Sequence, residues 1–258
     1  MKKINIIAVV LIALGVAVVS CTGPMGPEGP VGPSGNSFDA IPSNARILLQ
    51  ENFESYDVGN TPTGWTRANI FTNASVYHVV TNTASVSYSR SLMVQGFVTD
   101  YNRQIVKAPL ADNITNTLSG KIRVSFYANK SNADKAKGFV FYINQIEKFN
   151  VVLNEVGFID VYTSTSNAMS VKSYSANEWI KIDVVLNLST QTYSLYVENI
   201  LRAENIPCPN TPEQVNTGSG VFDWQTVYPT FFGVLTNINI NYVLDKVFID
   251  NVLIYYIP

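Results

Sequence analysis

Lys121-Ile122-Arg123-Val124-Ser125-Phe126-Tyr127 decides how this 258-residue chain reads. Polar and apolar residues alternate without a slip, so an extended segment here has one apolar face and one polar face. That is the pattern of a half-buried strand. The same kind of run recurs on both sides of it. Upstream stand Arg46 to Gln50 and Ser91 to Phe97. Downstream stand Gly138 to Ile143, Phe149 to Leu153, Gly157 to Tyr162, Trp179 to Leu186, Thr192 to Val197, Phe231 to Leu235 and Lys246 to Tyr256. The runs follow one another at roughly ten-residue spacing, with Asn, Ser, Thr and Gly between them. Helical periodicity is not sustained anywhere; Ala133 to Lys137 has room for a single turn. Residues 45–258 are therefore expected to form one all-β domain, a single antiparallel two-sheet sandwich with no internal repeat.

Composition agrees and excludes some functions. Charged residues make up 14% and aromatic residues 12%, which suits a β-rich extracellular domain better than a helical cytosolic enzyme. Without Lys2 and Lys3 the count of basic groups falls from 17 to 15 against 19 acidic ones, about four net negative charges. No basic stripe is available to nucleic acid.

The first 44 residues read differently. Lys2 and Lys3 precede an uncharged apolar run, Ile4 to Val19, closed by a small residue. This is a secretory signal, too short for a membrane span of about 20 residues. Its close, Val18-Val19-Ser20-Cys21, resembles the lipobox of bacterial lipoproteins. The resemblance implies cleavage after residue 20 and lipidation of Cys21, hence an exported protein anchored to a membrane, the outer membrane being favoured by Thr22. Two or more acyl chains hold a protein stably where one does not. Cys208, the other cysteine, then has no disulfide partner in the chain and is expected as a buried or semi-buried thiol. Between the anchor and the domain, residues 21–44, glycine falls at every third position from Gly23 to Gly35, with proline after each of the first four. This collagen-like tract favours polyproline II and would span about 40 Å as a stiff spacer. Trimerisation through Gly23–Gly35 stays open beside the spacer reading.

Three further segments carry a resemblance that covers the whole domain. Phe53-Glu54-Ser55-Tyr56-Asp57-Val58-Gly59-Asn60-Thr61-Pro62-Thr63-Gly64-Trp65 is similar to the opening of many secreted jelly-roll modules. Trp179-Ile180-Lys181-Ile182-Asp183-Val184, followed by Tyr193-Ser194-Leu195-Tyr196-Val197-Glu198-Asn199, resembles a strand pair of laminin-G-like and concanavalin A-like domains, with Glu198-Asn199 replacing the usual Asp-Gly. Val247-Phe248-Ile249-Asp250-Asn251-Val252-Leu253-Ile254 resembles the strand that ends these folds. The resemblance implies a concanavalin A-like jelly roll. It also implies a structural calcium held by Glu54 and Asp250, because related carbohydrate-binding modules join first and last strands in that way.

Catalytic machinery is sparse. Glu155 and Asp160 are separated by an odd number of residues and would point to opposite faces of a strand, as would Glu178 and Asp183. His78 is the one histidine, no elbow serine accompanies it, and a structural role is expected. Sugar recognition needs an aromatic face beside planar polar groups. Phe222-Asp223-Trp224-Gln225-Thr226-Val227-Tyr228 offers both on an expected loop, which makes Asp223, Trp224, Gln225 and Tyr228 the candidate ligand contacts. Trp179 is expected in the core and Trp65 over the sandwich edge. The sequence thus points to a non-catalytic, lectin-like surface lipoprotein that binds polysaccharide or other glycan. An adhesive or structural protein that binds another protein is the alternative, and a glycan hydrolase or lyase a weaker one.

Overall fold

Alternation in the sequence becomes extended chain. The computed structural model describes residues 40–69, 76–86, 89–96, 104–111, 119–131, 139–143, 151–154, 156–162, 167–208, 231–236 and 246–258. Among them run fifteen strands: β1 (Arg46–Glu51), β2 (Thr66–Asn69), β3 (Val76–Thr81), β4 (Ser91–Gly96), β5 (Gln104–Pro109), β6 (Lys121–Lys130), β7 (Phe139–Ile143), β8 (Val151–Leu153), β9 (Phe158–Tyr162), β10 (Ala168–Ser173), β11 (Trp179–Asn187), β12 (Thr192–Val197), β13 (Ile200–Pro207), β14 (Phe231–Thr236) and β15 (Lys246–Ile257). No helix occurs among the described residues. The signal segment, Cys21 and the Gly-Pro tract lie outside the described residues, as do Asp223, Trp224, Gln225, Tyr228 and Glu155.

The strands form two antiparallel sheets, which make the β-sandwich expected from the sequence. One has the order β13-β12-β11-β6-β15-β4-β3, with β1 also on β15; the other has the order β10-β9-β8-β7-β14-β5-β2. Their inner faces are the apolar sets of the alternating runs. Ile122, Val124, Phe126 and Ala128 of β6 lie beside Ile180, Ile182, Val184 and Leu186 of β11, all buried. Phe126 reaches the opposite sheet, where its ring sits 5.4 Å from that of Phe232. Trp65 belongs to this core rather than to the sandwich edge: its ring lies 5.6 Å from Phe53 and 6.4 Å from Phe232. Trp179 departs from expectation in the other direction. Odd-numbered residues of β11 face away from the core, so Trp179 packs half-buried on the outer face with Val79, Met93 and Phe248. Cys208 is buried and in no disulfide.

One irregularity positions the site. Along one side, β15 pairs with β4 from Lys246 to Ile249 and with β1 from Val252 to Tyr256. Where it changes partner, its register against β6 slips between Asp250 and Leu253, and Asn251 takes a left-handed φ of 50°. Asparagine tolerates that conformation better than most residues, and a bulge there re-aims neighbouring side chains.

Candidate functional site

A cleft of about 590 Å³ opens beside this bulge. Its lining comes from four adjacent strands: Gln50, Glu51 and Asn52 at the end of β1, Asn251, Val252 and Leu253 of β15, Ser125 and Tyr127 of β6, and Lys181 of β11. Register explains the assembly. Lys181 stands opposite Tyr127, Ser125 opposite Leu253, and Leu253 opposite Gln50, so these side chains share the outer face of the larger sheet. At about 4.8 Å between strands, the row from β11 to β1 crosses roughly 14 Å of sheet. Half-buried Tyr127 supplies an aromatic surface, and Gln50, Asn52 and Asn251 supply amides.

The two charged lining residues are held differently. Glu51 is engaged internally: its Oε1 accepts the Phe53 amide at 2.8 Å and its Oε2 the Tyr56 hydroxyl at 2.9 Å. Burial and then the bond to Glu51 push the Tyr56 hydroxyl above its ordinary pKa, so Tyr56 stays a donor. Lys181 is 7% exposed, and its Nζ donates to Asn199 Oδ1 at 3.1 Å. Its backbone amide donates to Glu198 Oε1 at 2.6 Å, and the Glu198 amide returns a bond to the Lys181 carbonyl at 3.0 Å. Glu198 and Asn199 both have positive φ, 53° and 61°, as a tight primed hairpin turn requires. The replacement of Asp-Gly by Glu-Asn therefore keeps the turn and adds two side chains that fasten Lys181.

Glu54 and Asp250, the expected calcium ligands, both grip the connection between β3 and β4. Asp250 is fully buried; its Oδ2 accepts the Val86 amide and its Oδ1 the Asn251 amide, at 2.9 and 2.8 Å. Glu54 Oε1 accepts the amides of Ser89 and Arg90, and its Oε2 accepts the Ser89 hydroxyl. Arg90 returns bonds to the carbonyls of Glu54 and Tyr56. Burial tends to raise the Glu54 carboxyl, but these donors and the Arg90 charge win and hold it below the usual range. Calcium requires six to eight oxygen ligands. Here hydrogen-bond donors face the carboxylates, and among the described residues no three acid, histidine or cysteine side chains gather. The two acids as placed latch a loop.

The remaining candidates are structural. His78 is buried, bonded to the Trp65 backbone, and kept below its ordinary pKa by burial and then by Arg67. Asp160 accepts from Asn154 Nδ2 and Ser170 Oγ, both at 2.7 Å, in a closed network. Glu178 caps Ser175 at 2.8 Å. None of the three lines the cleft.

Solved structures share this fold. A sialidase superposes with a TM-score of 0.58 at 14% identity, over 82% of this chain. The chain spans only 18% of that sialidase. A cellulose-induced protein superposes with a TM-score of 0.51 at 14% identity, over 80% of this chain and 96% of its own. A family 11 carbohydrate-binding module from Clostridium thermocellum, in complex with a β-1,3-1,4-mixed-linked tetrasaccharide, aligns more loosely, with a TM-score of 0.40 at 13% identity over 81% and 94%. At these identities the first two likenesses establish the fold alone. No protein-family model matches the sequence, and no curated protein matches it.

Proposed function

We propose that this chain is an exported, lipid-anchored surface protein whose β-sandwich binds carbohydrate without cleaving it. The observation that carries the reading is the cleft around Tyr127. An aromatic ring lies on one face with amides, a hydroxyl and an ammonium, in neighbouring rows across four strands. Sugar rings present apolar faces to aromatics and hydroxyls to planar polar groups, and these rows offer both. The length of the rows suits an extended oligosaccharide better than a single sugar. Hydrolysis by paired carboxylates has little support, because among the described residues Glu51 is the sole acid in the lining and both its oxygens accept internal bonds. Cys21 would carry the anchor, and Gly23–Gly35 would hold the domain away from the lipid surface.

Asp223, Trp224, Gln225 and Tyr228 stay as the rival ligand contacts. A glycan array probed with the full-length chain in detergent tests the reading, with Tyr127→Ala and Trp224→Ala beside it. Binding lost in Tyr127→Ala supports the cleft. A folded chain that retains no glycan would shift the function to adhesion, which the collagen-like tract favours through trimerisation; sedimentation with and without residues 23–35 measures that directly.

A further inference from the structure

Resting on the carbohydrate reading, we infer that the glycan site continues past the cleft to the edge of the larger sheet, where Tyr196 gives a second stacking surface. The ligand is then a long stretch of polysaccharide rather than a terminal sugar. Register carries the inference. On the outer face Leu201, Tyr196, Asp183, Ser125, Leu253 and Gln50 are directly opposed in turn, on β13, β12, β11, β6, β15 and β1. The last three line the cleft. The first two continue the same row beyond it. At about 4.8 Å between strands, the row lengthens from roughly 14 Å to roughly 24 Å.

The far end of the row has the surface that a sugar ring needs. Tyr196 is half-buried, and Leu201 opposite it is 44% exposed. Farther along β13 the exposed residues are Arg202, Glu204, Asn205 and Pro207, as suits an edge strand that must stay in water. An exposed leucine beside a tyrosine breaks that pattern, and it does so at the end of β13 nearest the cleft. The two places are joined by a rigid link. The Glu198-Asn199 turn that fastens Lys181 runs directly from β12 into β13. Tyr196 and Leu201 are therefore set in position relative to Tyr127 before any ligand arrives, which lowers the ordering cost of binding. Ser194, two residues along β12 on the same face, accepts the Asn205 amide at 3.4 Å, a bond that does not use its hydroxyl proton. Between the two tyrosines Asp183 is buried, so no exposed carboxylate interrupts the row. Recognition here is of ring faces and hydroxyls and depends on no net charge in the cleft.

The test titrates the full-length chain in detergent with size-graded fragments, from trisaccharide to octasaccharide, of cellulose, xylan, mannan and laminarin. Affinity for one series should rise about ten-fold or more between the trisaccharide, which fills the cleft alone, and the longest fragment. Tyr196→Ala should remove about that ten-fold gain and leave the trisaccharide unchanged, whereas Tyr196→Trp should keep the gain. Leu201→Ser should weaken the longest fragment about three-fold. It lies on the exposed edge and decides the matter if Tyr196→Ala does not fold. Affinity that stops rising at the trisaccharide overturns the inference and leaves the carbohydrate reading standing. So does a gain with length that survives in Tyr196→Ala, or a loss in that variant that is equal at every length. Absence of binding to every glycan on a broad array overturns both.

Discussion

The two faces of the larger sheet are made by the same strands and do different work. Inward, Ile122, Val124, Phe126 and Ala128 meet Ile182, Val184 and Leu186 in a buried apolar layer. Outward, one residue along in each case, stand Arg123, Ser125 and Tyr127 beside Lys181 and Asp183. The inner face holds the sheets together through buried apolar area. The outer face carries a smaller apolar cluster around Val79, Met93 and Phe248 and, beside it, arranges polar groups over neighbouring strands. A strand period of two lets one backbone do both, provided the register never slips. Where it does slip, at Asp250 to Leu253, the outer face gains a cleft.

The inner face should give the largest effect. Phe126→Ala removes a ring that bridges both sheets and should lower unfolding stability by about 3–5 kcal/mol, read by urea denaturation. Glycan affinity per folded molecule should stay unchanged. A small stability loss with lost binding would mean that the two faces are not separable.

Asp250→Ala probes the latch behind the cleft. It strips the Val86 and Asn251 amides of their acceptor and should cost about 1–3 kcal/mol. Calcium or a chelator should leave the melting temperature of the unmodified chain where it was. A calcium-dependent rise that disappears in Asp250→Ala would return these acids to a metal site.

The inner face was plain in the sequence, and the outer face was plain only as polar. Lys121 to Tyr127 shows which residues point outward but not which strands will lie alongside. That information is in the pairing of β11, β6, β15 and β1, whose contacts join residues as distant as Gln50 and Leu253. Tyr127, Lys181 and Asn251 were therefore not singled out as a site. The one local signal was the Asp250-Asn251 pair breaking an apolar strand. The strands β2, β3, β5, β10 and β13 have no counterpart among the runs read from the sequence. Of these, β10 and β13 are edge strands with exposed residues in runs rather than in alternation, so no period of two marks them. Glu54 and Asp250, which the resemblance implies as calcium ligands, both hold the connection between β3 and β4 by hydrogen bonds.

Tyr127→Ala should sharpen the contrast with Phe126→Ala. Its cost to stability should be about 1 kcal/mol or less, since the ring is half-buried outside the core. Its cost to binding should be severe.

The smallest effect concerns pH. His78 is held below its ordinary value of 6.5, chiefly by burial. The unfolded chain then takes up a proton before the folded one does. Stability is full above pH 6.5 and declines as pH falls from there toward the lower folded value. His78→Gln should flatten that decline in a melting-temperature series. Glu54, lowered from 4.5, adds a further decline only below that pH.

The most direct measurement places Tyr127→Ala and Trp224→Ala side by side in one glycan titration of the full-length chain. Binding abolished in Tyr127→Ala and kept in Trp224→Ala is the expected result, and it puts recognition on the outer face of the sheet. Binding kept in Tyr127→Ala and abolished in Trp224→Ala would contradict it and move the site to residues 223–228.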